Sequence, residues 1–473
     1  MSGNEKNQGR AGYLLKNTGL LTISSFSSKI LVFLLVPLYT SVLSEEEYGV
    51  FDLVQTTVLL LLPILTINIY DAVMRYCMDS NYDHRIITGI GTKFVGLSIL
   101  VFTALSVINL VFQLVPRISQ YTGYMVLYYS AYLCNQFLVQ YAKGKEKVKI
   151  IAIAGVVNTI VCVALNILLL LHIKMGVAGL FIAYIAGLFS SSLVIIFGTH
   201  FFSNLSFAHN QSYQKEMIMY SAPLVLGTIG WWCNNASDRY VITYLCGFAA
   251  NGIYSVAYKI PSILTTVQQI FTQAWQVSAV KSFDEEGSCQ FYGRVFKTTN
   301  IIMCLICMGL ILFTKSIAHI LYKNGFYDAW QYVPFLLVAS VFNSASGVVG
   351  PVLNANKDSK SLGISSLIGT ISNVILNVVF VLLIGPQGAA IATVIASFII
   401  FILRKKALNG QIAFTSYSKD CISWVILVLQ AICMVYVPWI YIQFVFITIF
   451  VVINKHDILK LFDDIKGMVL SRR

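Results

Sequence analysis

Apolar runs of about 20 residues follow one another from Tyr13 to Asn454, separated only by short polar breaks. A run of that length crosses a ~30 Å hydrocarbon core as a helix. The pattern predicts spans near 13–42, 46–76, 86–114, 118–142, 148–172, 176–201, 215–246, 249–280, 298–315, 329–355, 361–384, 386–403, 420–436 and 438–454. The expected fold class is therefore an all-α polytopic membrane protein of about 14 transmembrane helices, with no room for a separate soluble domain. The last two spans are short and divide at Pro438, so a twelve-span chain with a re-entrant tail stays open. Residues 1–12 are polar and the first apolar segment lacks a small-residue cleavage pattern, which predicts a retained span. Beyond Asn454, Ile458, Leu459, Leu461, Phe462, Ile465 and Met468 recur at helical spacing among charges, so 455–473 reads as an amphipathic helix on the inner leaflet.

Composition agrees: the 473 residues are 57% hydrophobic and 11% charged, where a soluble protein carries about 25% charged residues. The net charge of +12 suggests nucleic acid only until the basic residues are placed. With fourteen spans, connections on the side of the termini hold 24 of the 32 Lys and Arg residues, against Arg117, Lys174, Lys315 and Lys323 opposite. That asymmetry predicts cytoplasmic termini and no nucleic-acid partner.

Three features recur in order, which is the signature of an internal repeat. Glu47-Tyr48-Gly49-Val50-Phe51 is matched 203 residues later by Ala250-Asn251-Gly252-Ile253-Tyr254. Gln140-Tyr141-Ala142-Lys143-Gly144-Lys145 is matched by Leu353-Asn354-Ala355-Asn356-Lys357-Asp358. Leu165-Asn166 with Gly176-Val-Ala178 is echoed by Leu376-Asn377 with Gly388-Ala-Ala390, at offsets of 211 and 212. The expected organisation is a lobe over 13–201, a linker over 202–214, a second lobe over 215–403 and two additional helices over 404–454. Six helices per lobe give both lobes the same orientation and a symmetry axis along the membrane normal, with cargo expected between them.

The Glu47-Tyr48-Gly49 turn, Ser237-Asp238-Arg239-Tyr240, Asn251-Gly252-Ile253-Tyr254-Ser255-Val256-Ala257 and the Leu-Asn…Gly-x-Ala repeats resemble the Wzx-type polysaccharide biosynthesis flippases of the multidrug/oligosaccharidyl-lipid/polysaccharide exporter superfamily. The resemblance covers nearly the whole chain. It implies a MATE/MurJ-like fold of twelve or fourteen helices in two lobes around a central cavity. It also implies alternating access and export of an undecaprenyl-pyrophosphate-linked oligosaccharide across the bacterial cytoplasmic membrane, for a capsule, O-antigen, exopolysaccharide or teichoic acid. A polysaccharide polymerase is the partner it implies, beside membrane lipid, for a chain expected to act as a monomer.

An ionisable side chain at mid-membrane costs about 2.5 to 3.5 kcal/mol on insertion scales, so each one asks for a partner, water or cargo. Lys29, Arg239 and Lys259 fall within predicted spans one, seven and eight. Two or three cations there suit a pyrophosphate. The plainer reading pairs Lys29 with Asp52 or another acid and Arg239 with Asp238 or headgroups, and leaves Lys259 to cavity water. Lys93 lies two turns inside span three, where it can snorkel. Asp71 and Arg75, four apart, share a helix face and either pair plainly or gate the inner side. Asp52, Asp71 and Asp238 are the acids considered for ion coupling, since a carboxylate in a dry cavity can titrate in the working range. Trp231, Trp232, Tyr254, Tyr258, Gln269 and Gln273, with Trp275 close by, offer the aromatic faces and amides that sugars favour, or else pack between helices.

Other chemistries find less support. Ten cysteines are scattered and Cys304-Leu-Ile-Cys307 is the one close pair, so neither a metal nor a cofactor is expected. No GxxxxGK[ST] loop and no triad arrangement occurs, which argues for a transporter over an ATP-driven pump or hydrolase. A cation or drug antiporter of the same superfamily is the main alternative, a membrane-embedded glycosyl-transferring enzyme the remoter one. Sign of charge separates the first two, because a cation carrier needs acids in its cavity.

Overall fold

The computed structural model describes residues 33–208, 210–283, 285–408, 410–414, 417–437 and 439–460. Among them there is no strand. Lys29 and most of the 455–473 tail lie outside the described residues, and with them the readings placed there. The chain forms two compact units, Met1–Ala236 and Ser237–Arg473.

The first unit contains α1 (Val36–Val42), α2 (Glu45–Thr66), α3 (Ile69–Cys77), α4 (His84–Phe112), α5 (Thr122–Gly144), α6 (Val148–Asn166), α7 (Gly176–Thr199) and the larger part of α8 (Gln211–Cys246). The second contains the end of α8, then α9 (Phe248–Ala257), α10 (Lys259–Lys281), α11 (Ser288–Leu312), α12 (Thr314–Leu321), α13 (Val333–Ala355), α14 (Ser359–Ile384), α15 (Pro386–Ala407), α16 (Tyr417–Tyr436) and α17 (Tyr441–Ile453). Nine of the described helices are long and apolar enough to span a bilayer: α2, α4, α6 with the turn that follows it, α7, α11, α13, α14, α15 and α16. α5, α8 and α10 match them in length, and α8 and α10 carry many of the polar residues singled out above. The protein is a multi-pass helical membrane protein.

Local sequence sets the helix ends. Ser44 caps α2 in a reciprocal box, its Oγ accepting from the Glu47 amide at 3.2 Å while Glu47 Oε2 accepts from the Ser44 amide at 2.9 Å. Left-handed Ile67 and Asn68 then break this span into α2 and α3, so the predicted 46–76 span is two helices.

The repeat is visible bond by bond. In the α5–α6 turn, the amides of Lys145, Glu146 and Lys147 donate to the carbonyls of Tyr141, Lys143 and Ala142. In the α13–α14 turn, those of Asn356, Lys357 and Asp358 donate to Val352, Asn354 and Leu353, each 211 residues on (358 − 147). Glu146 and Lys357 take the same left-handed conformation, φ 56° and 58°. This is the hydrogen-bond scheme that closes a helix on a left-handed residue.

One register differs from the predicted one. Gly176 corresponds to Gly385, not Gly388: each opens its helix with positive φ, 57° and 68°. At this offset of 209 (385 − 176), buried Gly388, Ala389, Ala390, Ala392, Ala396, Ser397, Ile400 and Phe401 of α15 all fall on buried positions of α7. The two residues that the first unit has in excess lie between Asn166 and Gly176. A π-helical turn, Ile167–His172, occupies that stretch, and such turns take an extra residue into a helix. Close packing is then kept by small residues, as membrane helix pairs require. A Cβ on Gly187 of α7 would meet Asn158 of α6 at 2.5 Å, and one on Gly369 of α14 would meet Ile400 of α15 at 2.1 Å.

Candidate functional site

Asp238 is the best-defined polar centre among the described residues. It lies on α8 and is 3% exposed. Its Oδ2 accepts from the hydroxyls of Tyr254 and Tyr258, each at 2.9 Å, and its Oδ1 accepts from the Arg239 amide at 3.0 Å. Tyr254 on α9 and Tyr258, the right-handed residue that joins α9 to α10, stand four apart, so both hydroxyls fall on one face. Their rings meet edge to face at 5.3 Å, and Tyr332 packs 5.7 Å from Tyr254. The Arg239 guanidinium carbon is 5.7 Å from the Tyr258 ring centre, within cation–π range.

Arg239 precedes the end of α8 at Cys246 by seven residues, and Lys259 follows the start of α9 at Phe248 by eleven. At 1.5 Å per residue these are depths of roughly 10 and 16 Å along the helices. Both side chains are half-buried. Next to Asp238, the Ser237 hydroxyl lies 3.5 Å from Asn373 Oδ1 on α14, which also accepts from Asn377 Nδ2 at 3.0 Å.

Several expected roles change. Trp232 is buried and its indole N–H donates to the Thr56 carbonyl at 2.9 Å, while buried Trp275 donates to Val348 at 2.8 Å. Both tryptophans tie helices together, and Tyr254 is fully buried against Asp238. None of these three presents a free face to a sugar. Trp231, at 59% exposure, and the exposed Gln269 and Gln273 do. Tyr258 is half-buried, its hydroxyl bound to Asp238.

Asp71 and Arg75 do not form the expected pair. Asp71 Oδ1 accepts from Gln140 of α5 at 2.6 Å, whereas Arg75 is exposed and reaches Asp79 at 4.0 Å. The acid turns toward the helix packed against it, and the long base turns to the surface. Asp52 is buried on α2. Lys93 donates to the Phe207 carbonyl at 3.3 Å. Cys304 and Cys307 are buried free thiols, the latter donating to the Leu337 carbonyl. No cluster of three metal-binding side chains occurs among the described residues.

Two polar arrangements escaped the sequence reading. Arg404 lies across three helices, donating to Ser365 Oγ, Ser366 Oγ and the Ser346 carbonyl at 3.3, 3.0 and 3.2 Å. Buried Asp420 accepts from Asn300 at 2.9 Å, and Asn300 accepts from Trp424 at 2.9 Å. With the 2.7 Å Lys297–Asp457 ion pair, this network fixes the C-terminal helices on α11. Asn300 inside a predicted span was the signal available for it.

The described architecture is that of the MurJ and MATE transporters. "Lipid II flippase MurJ, inward closed conformation" superposes with a TM-score of 0.70 and 15% identity over 94% of this chain and 99% of that one. An inward-facing multidrug resistance MATE family transporter of the MOP superfamily follows at 0.68 and 14% identity, over 81% and 95%. At such identities the likeness establishes the fold alone. The polysaccharide biosynthesis protein family matches residues 14–277, more than half of the chain, and the chain belongs to that family. The "Probable low-salt glycan biosynthesis flippase Agl15" of Haloferax volcanii is 22% identical over 217 residues, 44% of this chain. That match spans 45% of the relative's own length.

Proposed function

We propose that this protein is a flippase that carries a lipid-linked glycan between the leaflets of a membrane by alternating access, with the 13–201 and 215–403 lobes as its moving parts. Family membership and the glycan-flippase relative support the class. The observation that carries the cargo's sign is the bonding of Asp238: three donors from the chain itself satisfy its carboxylate, so it does not need a cationic cargo. Arg239 on α8 and Lys259 at the start of α10 place positive charge deep in this helix pair, where an anionic diphosphate gains charge-assisted hydrogen bonds that hydrocarbon cannot supply. Lys29 is a third cation of this proposal. Trp231, Gln269 and Gln273 are the remaining candidates for sugar contact, and Asp52 and Asp238 for ion coupling or gating.

The finer reading is an undecaprenyl-pyrophosphate-linked oligosaccharide in a bacterial cytoplasmic membrane, moved from the inner to the outer leaflet with both termini cytoplasmic, for assembly of a surface polymer. Lys29→Ala, Arg239→Ala and Lys259→Ala are each expected to abolish glycan export in cells while the protein remains in the membrane. Normal surface polysaccharide in all three would remove the diphosphate clamp. Transport of ethidium against a proton gradient by the purified protein, with indifference to lipid-linked sugars, would favour the antiporter.

A further inference from the structure

A cavity of about 170 Å³ lies where α11 passes into α12 and α16 turns toward α17, lined by Leu312, Lys315, Ser316, Met434, Trp439 and Gln443 among others. Three independent features make it a built site. Gln443 is 1% exposed, yet its Oε1 has no hydrogen-bond partner among the described residues. Leaving a buried carbonyl unpaired costs about 1–3 kcal/mol, so the position asks for a donor. Lys315, a half-buried cation, is held with its ammonium 4.5 Å from the Trp330 ring centre, and it lines the cavity together with Ser316. Trp439 in the lining is 67% exposed, and Tyr436 and Tyr441, the sequence neighbours of lining residues Val437 and Ile440, are 61% and 79% exposed. Exposed aromatics with polar tips mark the headgroup level of a bilayer.

The donors and acceptor call for one small group that carries both anionic oxygens and a hydroxyl, at headgroup depth, with apolar chain attached. We propose that this cavity binds the phosphoglycerol headgroup of an anionic phospholipid. The phosphate takes Lys315 and Ser316, and a glycerol hydroxyl donates to Gln443 Oε1. The acyl chains continue along the exposed apolar face of α17, where Phe444, Val445 and Val452 lie. This site is separate from Asp238 and independent of the identity of the cargo.

The test uses full-length protein, delipidated in detergent, with binding followed by native mass spectrometry and by thermal unfolding. Phosphatidylglycerol should raise the unfolding midpoint by several degrees, whereas phosphatidylcholine with the same chains, or inorganic phosphate with glycerol, should not. Lys315→Gln and Gln443→Leu should each weaken phosphatidylglycerol binding about tenfold, roughly one lost charge-assisted or buried hydrogen bond. Gln443→Leu should also leave the lipid-free protein at least as stable as the parent, because it removes the orphaned carbonyl. Equal stabilisation by phosphatidylcholine, full stabilisation by inorganic phosphate, or unchanged affinity in Lys315→Gln overturns the proposal. Should Gln443→Leu fail to fold, Lys315→Gln and Ser316→Ala decide the matter.

Discussion

The two halves of the chain share a scaffold but not a chemistry. Their hairpins close with the same hydrogen bonds, and α7 and α15 bury the same positions. At equivalent places inside α6 and α14 the residues diverge. Asn166 Nδ2 donates to the carbonyl and sulfur of Cys162, whereas Asn377 donates to the amide oxygen of Asn373, which also lies within reach of Ser237. One half therefore places a thiol where the other has a second amide, within reach of the Ser237 hydroxyl. Both halves keep the backbone contacts that a membrane helix bundle needs, while the second half carries more of the buried polar connections around Asp238.

The largest break in that comparison should come from glycines in the first turn of α7 and of α15. A Cβ on Gly388 would fall 2.2 Å from the Phe380 carbonyl oxygen, which is backbone and cannot step aside; at the equivalent Gly179 the nearest atoms are side-chain carbons at 3.1 Å. Gly388→Ala is expected to cost about 3 kcal/mol or more and Gly179→Ala under about 1, read as unfolding midpoints in detergent. Equal losses would show that the halves do not differ here. Next, Asp238→Ala removes the acceptor of the Tyr254 and Tyr258 hydroxyls and should cost about 2–4 kcal/mol, whereas Asp71→Ala in the first half releases one Gln140 bond and should cost about 1. Tyr254→Phe should fall between them. The smallest effect tests likeness instead: Glu146→Gly and Lys357→Gly, both at left-handed turn positions, should each stabilise by about 0.5–1 kcal/mol. A gain in one turn and a loss in the other would contradict the shared geometry.

Much of the fold was legible because each predicted span from 46–76 onward coincides with an observed helix or broken helix pair. Bilayer thickness imposes a length on apolar runs, and sequence carries that length directly. Side-chain partners were less legible. Asp71 bonds a residue 69 positions away and Trp232 one 176 positions away, distances over which helical spacing along one chain says nothing. The Asp238 cluster was half visible: Asp238, Tyr254 and Tyr258 were all singled out, but their mutual bonding depends on how α8 meets α9. Arg404 carries no local signal of its role, since nothing around it in the sequence announces that three helices converge on it.

The wide turn at Ile167–His172 bears on how such a chain tolerates change in length. In a regular helix two added residues rotate everything after them by about 200°, which would present the packed side of the next helix to lipid. Taken up across the π-helical turn and the short loop after it, the same two residues leave that side where it was. The added length is absorbed with Leu169 and Leu170 still buried, so the change in chain length does not reach the packed face that follows.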